Sequence, residues 1–274
     1  MTTVIMDDGT PPAHAKPAEE GQAMSVPERG TGVYDDLEAE QDRLDEVLGT
    51  LGKDDWGRPS AAAGWSVSDV VLHLAQTEEL VVASAQGDPA PFARDPRQGG
   101  SVDEFAERRV ADERNTSLDA VYQRWRSARH AALEALRGCP PGTRLPWATS
   151  PLAPATLATT RLAEHWAHAL DITGPLGIAY PDTARLRHIA WLAVRTLPYA
   201  FEVAGLTARP VRCELTGPDG DQWEFGPTEA ESRISGAAGA FCRVAAQRLA
   251  AEASGLTATG PDAATALRLV RTYA

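Results

Sequence analysis

The stretch EHWAH, residues 164–168, places a carboxylate and an imidazole four positions apart inside a segment with helical apolar spacing. On a helix, Glu164 and His168 lie one above the other on one face, together with Asp171. That face can bind a divalent cation, but it can equally be a solvated polar face opposite the apolar residues. His165 points about 100° away from Glu164 and is expected to be at most a neighbour of the same site. The stretch therefore predicts a helix whose polar face has two possible roles.

A third candidate ligand lies far upstream, after the stretch GWSVSD at residues 64–69. Ser66 and Asp69 stand three positions apart, which is the spacing of a capping box, and they predict the start of a helix. His73 lies one turn further on, at the edge of that helix's apolar stripe. A single histidine in such a position is more often a hydrogen-bonded core residue than a metal ligand. Spacing alone does not connect His73 with the later pair.

Helical patterns continue through most of the chain before residue 207. Residues 1–27 have no apolar periodicity and are expected to form a flexible tail. Polar, proline-rich loops are predicted at residues 87–100 and 139–154, and a second capping box at residues 116–119. Helices are predicted at residues 34–51, 67–81, 102–112, 118–136, in the segment after Pro154 that holds residues 164–168, and at 182–204 with a bend at Pro198.

The pattern changes after Arg209. Residues 211–215 and 222–225 flank the turn sequence GPDG at 217–220, which predicts a β-hairpin. A third strand is expected at 231–235, with helices at 239–251 and 262–270. The fold class is therefore α+β: a helical bundle at residues 28–206 followed by a small α+β domain at residues 207–274.

Composition narrows the possible functions. A chain of 274 residues with 43% apolar content can bury a sizeable core. Its net charge of −12 argues against binding nucleic acid or anionic lipid, and no segment approaches the ~20 apolar residues of a membrane span. The 3 cysteines are widely spaced, so we expect neither a disulfide framework nor a structural zinc cluster, and a reducing cytoplasm fits. A monomer is the default expectation.

The motifs also resemble a known family. Residues 64–69 leading to His73, and residues 164–172 (EHWAHALDI), resemble the two metal-ligand segments of the DinB-like four-helix bundle in the mycothiol-dependent maleylpyruvate isomerase family. Residues 187–190, residues 194–196 and the C-terminal hairpin with Phe241-Cys242 resemble a subgroup of that family. The similarity runs in order from about residue 34 to residue 274.

The resemblance implies a site and two cofactors. It makes His73, Glu164 and His168 the ligands of one divalent ion, usually zinc, with coordination positions open to water or a thiol. It further implies that mycothiol supplies the thiol, and that the C-terminal domain is similar in shape to sterol-carrier proteins. An arginine of that domain, Arg243 or Arg248, is expected to reach the site and hold a substrate carboxylate.

The resemblance leaves three functions open. A thiolate could add to the double bond of maleylpyruvate and leave again after rotation, which is isomerisation. The same groups could transfer mycothiol to another electrophile and stop at the conjugate, or the fold could serve as a binding module without turnover. Trp191, Leu197 and Ala240 depart from the family's usual residues, so the substrate pocket is expected to differ from the standard one.

Overall fold

Helices occupy the chain from Val33 to Val203, and a small sheet with further helices follows them. The computed structural model describes residues 32–88, 102–147 and 150–272. The α+β class is confirmed, with the helical bundle preceding the sheet. The predicted tail at residues 1–27 lies outside the described residues, as do most of the predicted loop at 87–100 and part of the loop at 139–154.

Seven helices are found in the first part of the described chain. They are α1 (Val33–Thr50), α2 (Lys53–Trp56), α3 (Val67–Ala85), α4 (Val102–Glu113), α5 (Leu118–Arg137), α6 (Pro154–Leu176) and α7 (Leu186–Val203). The bundle is formed by α1, α3, α5 and α6, in which α3 packs mainly on α5, and α1 mainly on α6.

Helix α6 lies in the middle of the bundle and is buried on almost all sides. Leu162, Trp166 and Ala169 on its apolar face are at most 2% exposed. His168 and Asp171 on the opposite face are also buried, at 8% and 2% exposed. The alternative of a solvated polar face is therefore wrong, because neighbouring helices cover this side of α6 as well.

The C-terminal part contains a four-stranded sheet with two helices. Its elements are β1 (Val211–Thr216), β2 (Gln222–Phe225), β3 (Ser232–Ala237), α8 (Ala238–Ala245), β4 (Thr257–Thr259) and α9 (Ala263–Leu269). The strand order is β2-β1-β3-β4, and the β1/β2 hairpin is antiparallel with Cys213 opposite Phe225, as the turn sequence predicts. Strands β1 and β3 are parallel and place Cys213 beside Ile234, while β4 pairs antiparallel with β3.

Several element boundaries differ from the predictions. Helix α5 begins at Leu118 with Ser117 at its N-cap and no side-chain cap, so the predicted capping box at residues 116–119 is wrong. Helix α7 begins at Leu186, after a turn in which the Leu186 N–H donates to the Thr183 carbonyl, so the predicted start at residue 182 is too early. Helix α8 ends at Ala245, well before residue 251, and a left-handed residue, Gln247 with φ 60°, follows it.

The two parts of the chain pack together. Helix α7 contacts α8, α9 and β2, and residues from Thr31 onward form one compact unit. The division near residue 207 into two domains stays a prediction. Within the described ranges, no helix is both long and apolar enough to cross a membrane.

Candidate metal centre

The start of α3 fixes the position of His73. Ser66 Oγ accepts the backbone N–H of Asp69 at 3.2 Å, and Asp69 Oδ2 accepts the N–H of Ser66 at 2.9 Å. The predicted capping box is therefore confirmed. Arg114 Nε donates to the other Asp69 oxygen at 3.1 Å. His73 follows one turn after this anchored cap and faces α6.

His73, Glu164 and His168 come together between α3 and α6. Glu164 Oε2 lies 3.6 Å from His73 Nε2 and 3.5 Å from His168 Nε2, and one donor atom from each residue lies within 4.8 Å of the others. A tetrahedral ion with ligand distances of ~2.0–2.2 Å separates its ligand atoms by ~3.3–3.6 Å. The two separations from Glu164 match that geometry, and the three side chains together could hold a single divalent cation.

The orientation of His168 is fixed by the residue behind it. His168 Nδ1 donates to Asp171 Oδ2 at 3.0 Å, which leaves Nε2, on the side of Glu164, as the nitrogen that can bind a cation once it has lost its proton. Arg248, just beyond α8, holds Asp171 in turn by donating from Nε to Oδ1 at 2.9 Å. A carboxylate behind a ligating histidine selects its tautomer and raises its basicity, which is a common arrangement in metal sites.

The electrostatics of the cluster place a negative charge between the two imidazoles. Burial acts to raise the pKa of Glu164, but hydrogen bonds with His168 and His73 hold that pKa well below its usual range. Burial lowers the pKa of His73. Burial also acts to lower the pKa of His168, but hydrogen bonds with Asp171 and Glu164 raise it on balance. A divalent cation would bind the ionised carboxylate and the two neutral imidazoles, and so would displace the proton that His168 can hold.

The cluster is open on one side and covered by an indole on another. The Glu164 side chain is 29% exposed, whereas the imidazoles of His73 and His168 are each 10% exposed. The Trp65 ring lies 5.0 Å from the His73 ring and 6.3 Å from the His168 ring, nearly parallel to the latter at 22°. Its indole N–H donates to Glu107 of α4. The Glu164 side is therefore where a further ligand can approach.

The family comparison covers this same region. A family model described as Mycothiol maleylpyruvate isomerase N-terminal domain matches residues 37–173, which include His73, Glu164, His168 and Asp171. The chain belongs to this family. The resemblance predicted from the two ligand segments is therefore confirmed.

The chain is also similar to two relatives and to two solved structures. Two uncharacterized proteins of Mycobacterium tuberculosis, from strains CDC 1551 and H37Rv, are each 39% identical over 246 residues, covering 87% of this chain and 94% of theirs. Crystal structures of the mycothiol-dependent maleylpyruvate isomerase and of a mutant of it match with TM-scores of 0.58 and 0.57. Identity to them is 16%, with 84% of this chain and 95% of theirs covered, which establishes a shared fold.

The two arginines expected at the family's site have different partners. Arg248 contacts Asp171 and is thereby connected to His168. Arg243 instead forms two 2.8 Å bonds to Asp182, and its guanidinium lies 5.5 Å from the centre of the Trp166 ring. Only Arg248 is connected to the cluster by the contacts described above.

His165 lies outside the cluster, as its position on the helix predicts. Its Nδ1 donates to the Arg161 carbonyl at 2.9 Å, and its Nε2 accepts from the indole N–H of Trp125 at 3.3 Å. Burial lowers the pKa of His165 to about 3, so the ring is neutral. It is a hydrogen-bonded core residue.

Sequence reasoning missed two charged residues behind the cluster. Arg161 and Glu78 form a buried pair next to the three candidate ligands. Periodicity could not find them, because an isolated charge on a helix usually marks an exposed position. The spacing of Arg161, three residues before Glu164, was the only available signal.

Proposed function

We propose that this protein is a metal-dependent enzyme that uses mycothiol to attack an electrophilic substrate, as an isomerase of the maleylpyruvate type. The observation that carries the proposal is the convergence of His73, Glu164 and His168 on one point, open to solvent at Glu164. Membership in the family supplies the cofactor and the reaction class.

The donor set suits a catalytic ion. Two imidazoles and one carboxylate are typical of catalytic zinc, whose remaining position is left open, whereas structural zinc is enclosed by four protein ligands. When bound, zinc would act as a Lewis acid and lower the pKa of a coordinated thiol to near neutrality. Asp171 keeps the ligating nitrogen of His168 directed at the site.

The chain's own cysteines do not suit the role of nucleophile. Cys213 and Cys242 are fully buried, and burial raises the pKa of Cys213 to about 12. A thiol with that pKa is almost entirely protonated at neutral pH. This supports a nucleophile that comes from outside the chain, as a low-molecular-weight thiol.

In the proposed reaction, the thiol adds across the cis double bond of maleylpyruvate, the new single bond rotates, and elimination gives the trans product and the free thiol. No thiol is consumed. We propose Arg248 as the arginine that acts at the site, because it is connected to His168 through Asp171. It would hold a substrate carboxylate beside the cluster.

A second outcome uses the same residues. If the substrate is a different electrophile, addition without elimination makes the protein a mycothiol S-transferase. Trp191 and Leu197 motivate this alternative: both are apolar and buried, at 9% and 5% exposed, where the resemblance leads us to expect polar residues, so the substrate is expected to differ from the family's usual one. A binding module without turnover is the third possibility.

The reaction would take place in the cytoplasm. Cys139, Cys213 and Cys242 are free thiols, a state that a reducing compartment maintains. The proposed partners are a small-molecule substrate and mycothiol. The monomeric state and the absence of nucleic-acid and membrane binding stay predictions.

Metal content tests the first half of the proposal. The purified protein is expected to hold about one divalent ion per chain, measured by inductively coupled plasma mass spectrometry. His168→Ala should reduce the content to a small fraction, whereas His130→Ala, which changes an exposed histidine of α5, should retain it. A metal-free wild type, or a His168→Ala variant that keeps its ion, would contradict the proposal that the protein is a metal-dependent enzyme.

Turnover tests the second half. Incubating the metal-loaded protein with mycothiol and maleylpyruvate should give fumarylpyruvate with no net loss of thiol. If mycothiol is instead consumed with a panel of electrophiles, the transferase is correct. Binding of mycothiol with neither outcome identifies the non-catalytic module.

A further inference from the structure

A buried ion pair connects α3 and α6 next to the metal centre. Arg161 Nε donates to Glu78 Oε1 at 2.8 Å, and the two residues are 2% and 0% exposed. Arg161 lies one turn before Glu164 on α6, and Glu78 lies just over one turn after His73 on α3. The two helices run in opposite directions here, so the ion pair and the metal centre occupy neighbouring layers.

A threonine ties this pair to the backbone of a candidate ligand. Arg161 Nη2 donates to Thr77 Oγ at 2.7 Å, and Thr77 Oγ lies 3.0 Å from the carbonyl oxygen of His73, to which its hydroxyl can donate. The guanidinium is therefore linked through one hydroxyl to the turn of α3 that carries His73. Its position depends on Thr77 and Glu78 together.

The charge of Arg161 acts on the metal centre. Burial lowers the pKa of His73, and the Arg161 charge adds to that shift. The same positive charge would oppose a divalent cation between His73 and Glu164, most strongly if it were not neutralised. Glu78 supplies the compensating negative charge within hydrogen-bond distance.

Hydrogen bonding alone does not account for a carboxylate at position 78. A glutamine could accept the same bond from Arg161 without burying a negative charge, but it would leave the buried Arg161 charge unpaired. Glu78 Oε2 is buried and has no hydrogen-bond partner within the part of the chain that the structure describes. A glutamine at position 78 would keep the hydrogen bond and lack only the negative charge.

We propose that Glu78 is a positioning and charge-balancing residue of the metal centre, which neutralises Arg161 and holds it against Thr77 so that a divalent cation can bind at His73, Glu164 and His168. This inference rests on the proposed function, because it assumes that these three residues bind a cation. Glu78 itself does not touch the ion.

The test measures the zinc affinity of the full-length protein by competition with a chromogenic chelator. Glu78→Gln keeps the acceptor but removes the charge, and is expected to weaken zinc binding tenfold or more, as for other residues behind metal ligands. Glu40→Gln is the matched control: Glu40 is also buried, at 1% exposed, and accepts from Arg185 at 2.7 Å and Tyr180 at 2.7 Å. It lies on α1, away from the three ligands, and should change the affinity less than threefold.

A charge rescue separates this role from a purely structural one. The double variant Glu78→Gln with Arg161→Gln removes the opposing charge, so it should bind zinc more tightly than Glu78→Gln alone and within about threefold of the wild type. A structural role predicts the reverse, since the double variant loses more bonds. The single variant Glu78→Gln can be compared only if it folds. If it does not fold, the double variant, which buries no unpaired charge, is the test: zinc affinity within about threefold of the wild type supports the proposal, and a greater loss contradicts it.

The results distinguish this inference from the proposed function. Wild type without zinc affinity overturns both. Wild type that binds zinc, with Glu78→Gln equally tight or with the double variant no tighter than the single one, overturns the role of Glu78 alone.

Discussion

Asp171 decides which nitrogen of His168 faces the metal centre. Because Asp171 accepts from Nδ1, Nε2 is the nitrogen that can bind a cation on the side of Glu164. Arg248 fixes Asp171 through both carboxylate oxygens. At the scale of single residues, the candidate site therefore consists of three candidate ligands and a second layer that orients one of them.

We expect Asp171→Asn to weaken zinc binding by about 10–100-fold, because the negative charge behind His168 is lost and the NH2 group that replaces one oxygen cannot accept the bond that Arg248 donates there. Competition with a chromogenic chelator measures the change. Asp182→Asn is the control, since it removes a similar carboxylate from Arg243 without touching His168. Equal losses in the two variants would contradict the role assigned to Asp171.

The three candidate ligands could be named from the sequence, but their layer of support could not. Glu164 and His168 share a helical face by spacing, and His73 was added by resemblance to the family. Glu78 and Arg161 carry no periodic signal, because a buried ion pair joins residues 83 positions apart that are recognised only after the helices have packed.

At the scale of elements, features formed by neighbouring residues were predicted correctly in several places. Features that depend on contacts between distant residues were not predicted. The start of α3 was found because its cap is formed by two neighbouring side chains, Ser66 and Asp69. The β1/β2 hairpin was found because its turn sequence is local. The start of α7 was missed because the turn before it is closed by a backbone bond from Leu186 to Thr183, with no capping side chain that a sequence pattern would show. The parallel pairing of β1 with β3 likewise depends on a crossover that no short pattern reveals.

Gly239 allows the loop before α7 to approach α8. A Cβ at this position would lie 1.8 Å from Asp182 Oδ2, so Gly239→Ala should break the Asp182 and Arg243 pair and destabilise the protein by about 1–3 kcal/mol. Urea unfolding measures the loss. Gly49→Ala in α1 is the control, because the nearest atom to its Cβ would be Tyr122 Oη at an ordinary 3.7 Å, and it should be neutral or stabilising by about 0.5–1 kcal/mol. Similar stabilities for the two variants would contradict this reading of the contact.

At the scale of the whole molecule, the C-terminal sheet and the bundle share a core along α7. Phe201 of α7, Phe225 of β2 and Phe241 of α8 are buried in it. The sequence predicted both parts and their order, but the packing of α7 on α8 and α9 follows from shape that a single sequence does not reveal.

The reactivity of the three cysteine thiols shows whether the C-terminal part unfolds separately from the bundle. At pH 8, Cys139, which is partly buried, should react slowly with a thiol reagent, while Cys213 and Cys242 should react only after denaturation. Burial raises the pKa of Cys213 to about 12 and also raises that of Cys242, so raising the pH to 9 should not bring either into reaction. Mass spectrometry of the labelled protein distinguishes the three positions.

The buried thiol of Cys213 also makes the free energy of unfolding depend on pH. Between pH 9 and about 12, Cys213 stays protonated in the folded chain and ionises in the unfolded one, so the free energy of unfolding should fall as the pH rises. Labelling of Cys213 or Cys242 in the native protein as fast as that of Cys139 would instead show that the C-terminal part opens by itself.

The bond between Arg248 and Asp171 has a consequence for the timing of synthesis. Arg248 leaves the ribosome 77 residues after Asp171, when all three candidate ligands have already been made. Until then, Asp171 lacks its anchor and His168 is free to turn. The nascent bundle can therefore meet zinc before its candidate site is rigid, and the last tenth of the chain completes the site that the first two-thirds began.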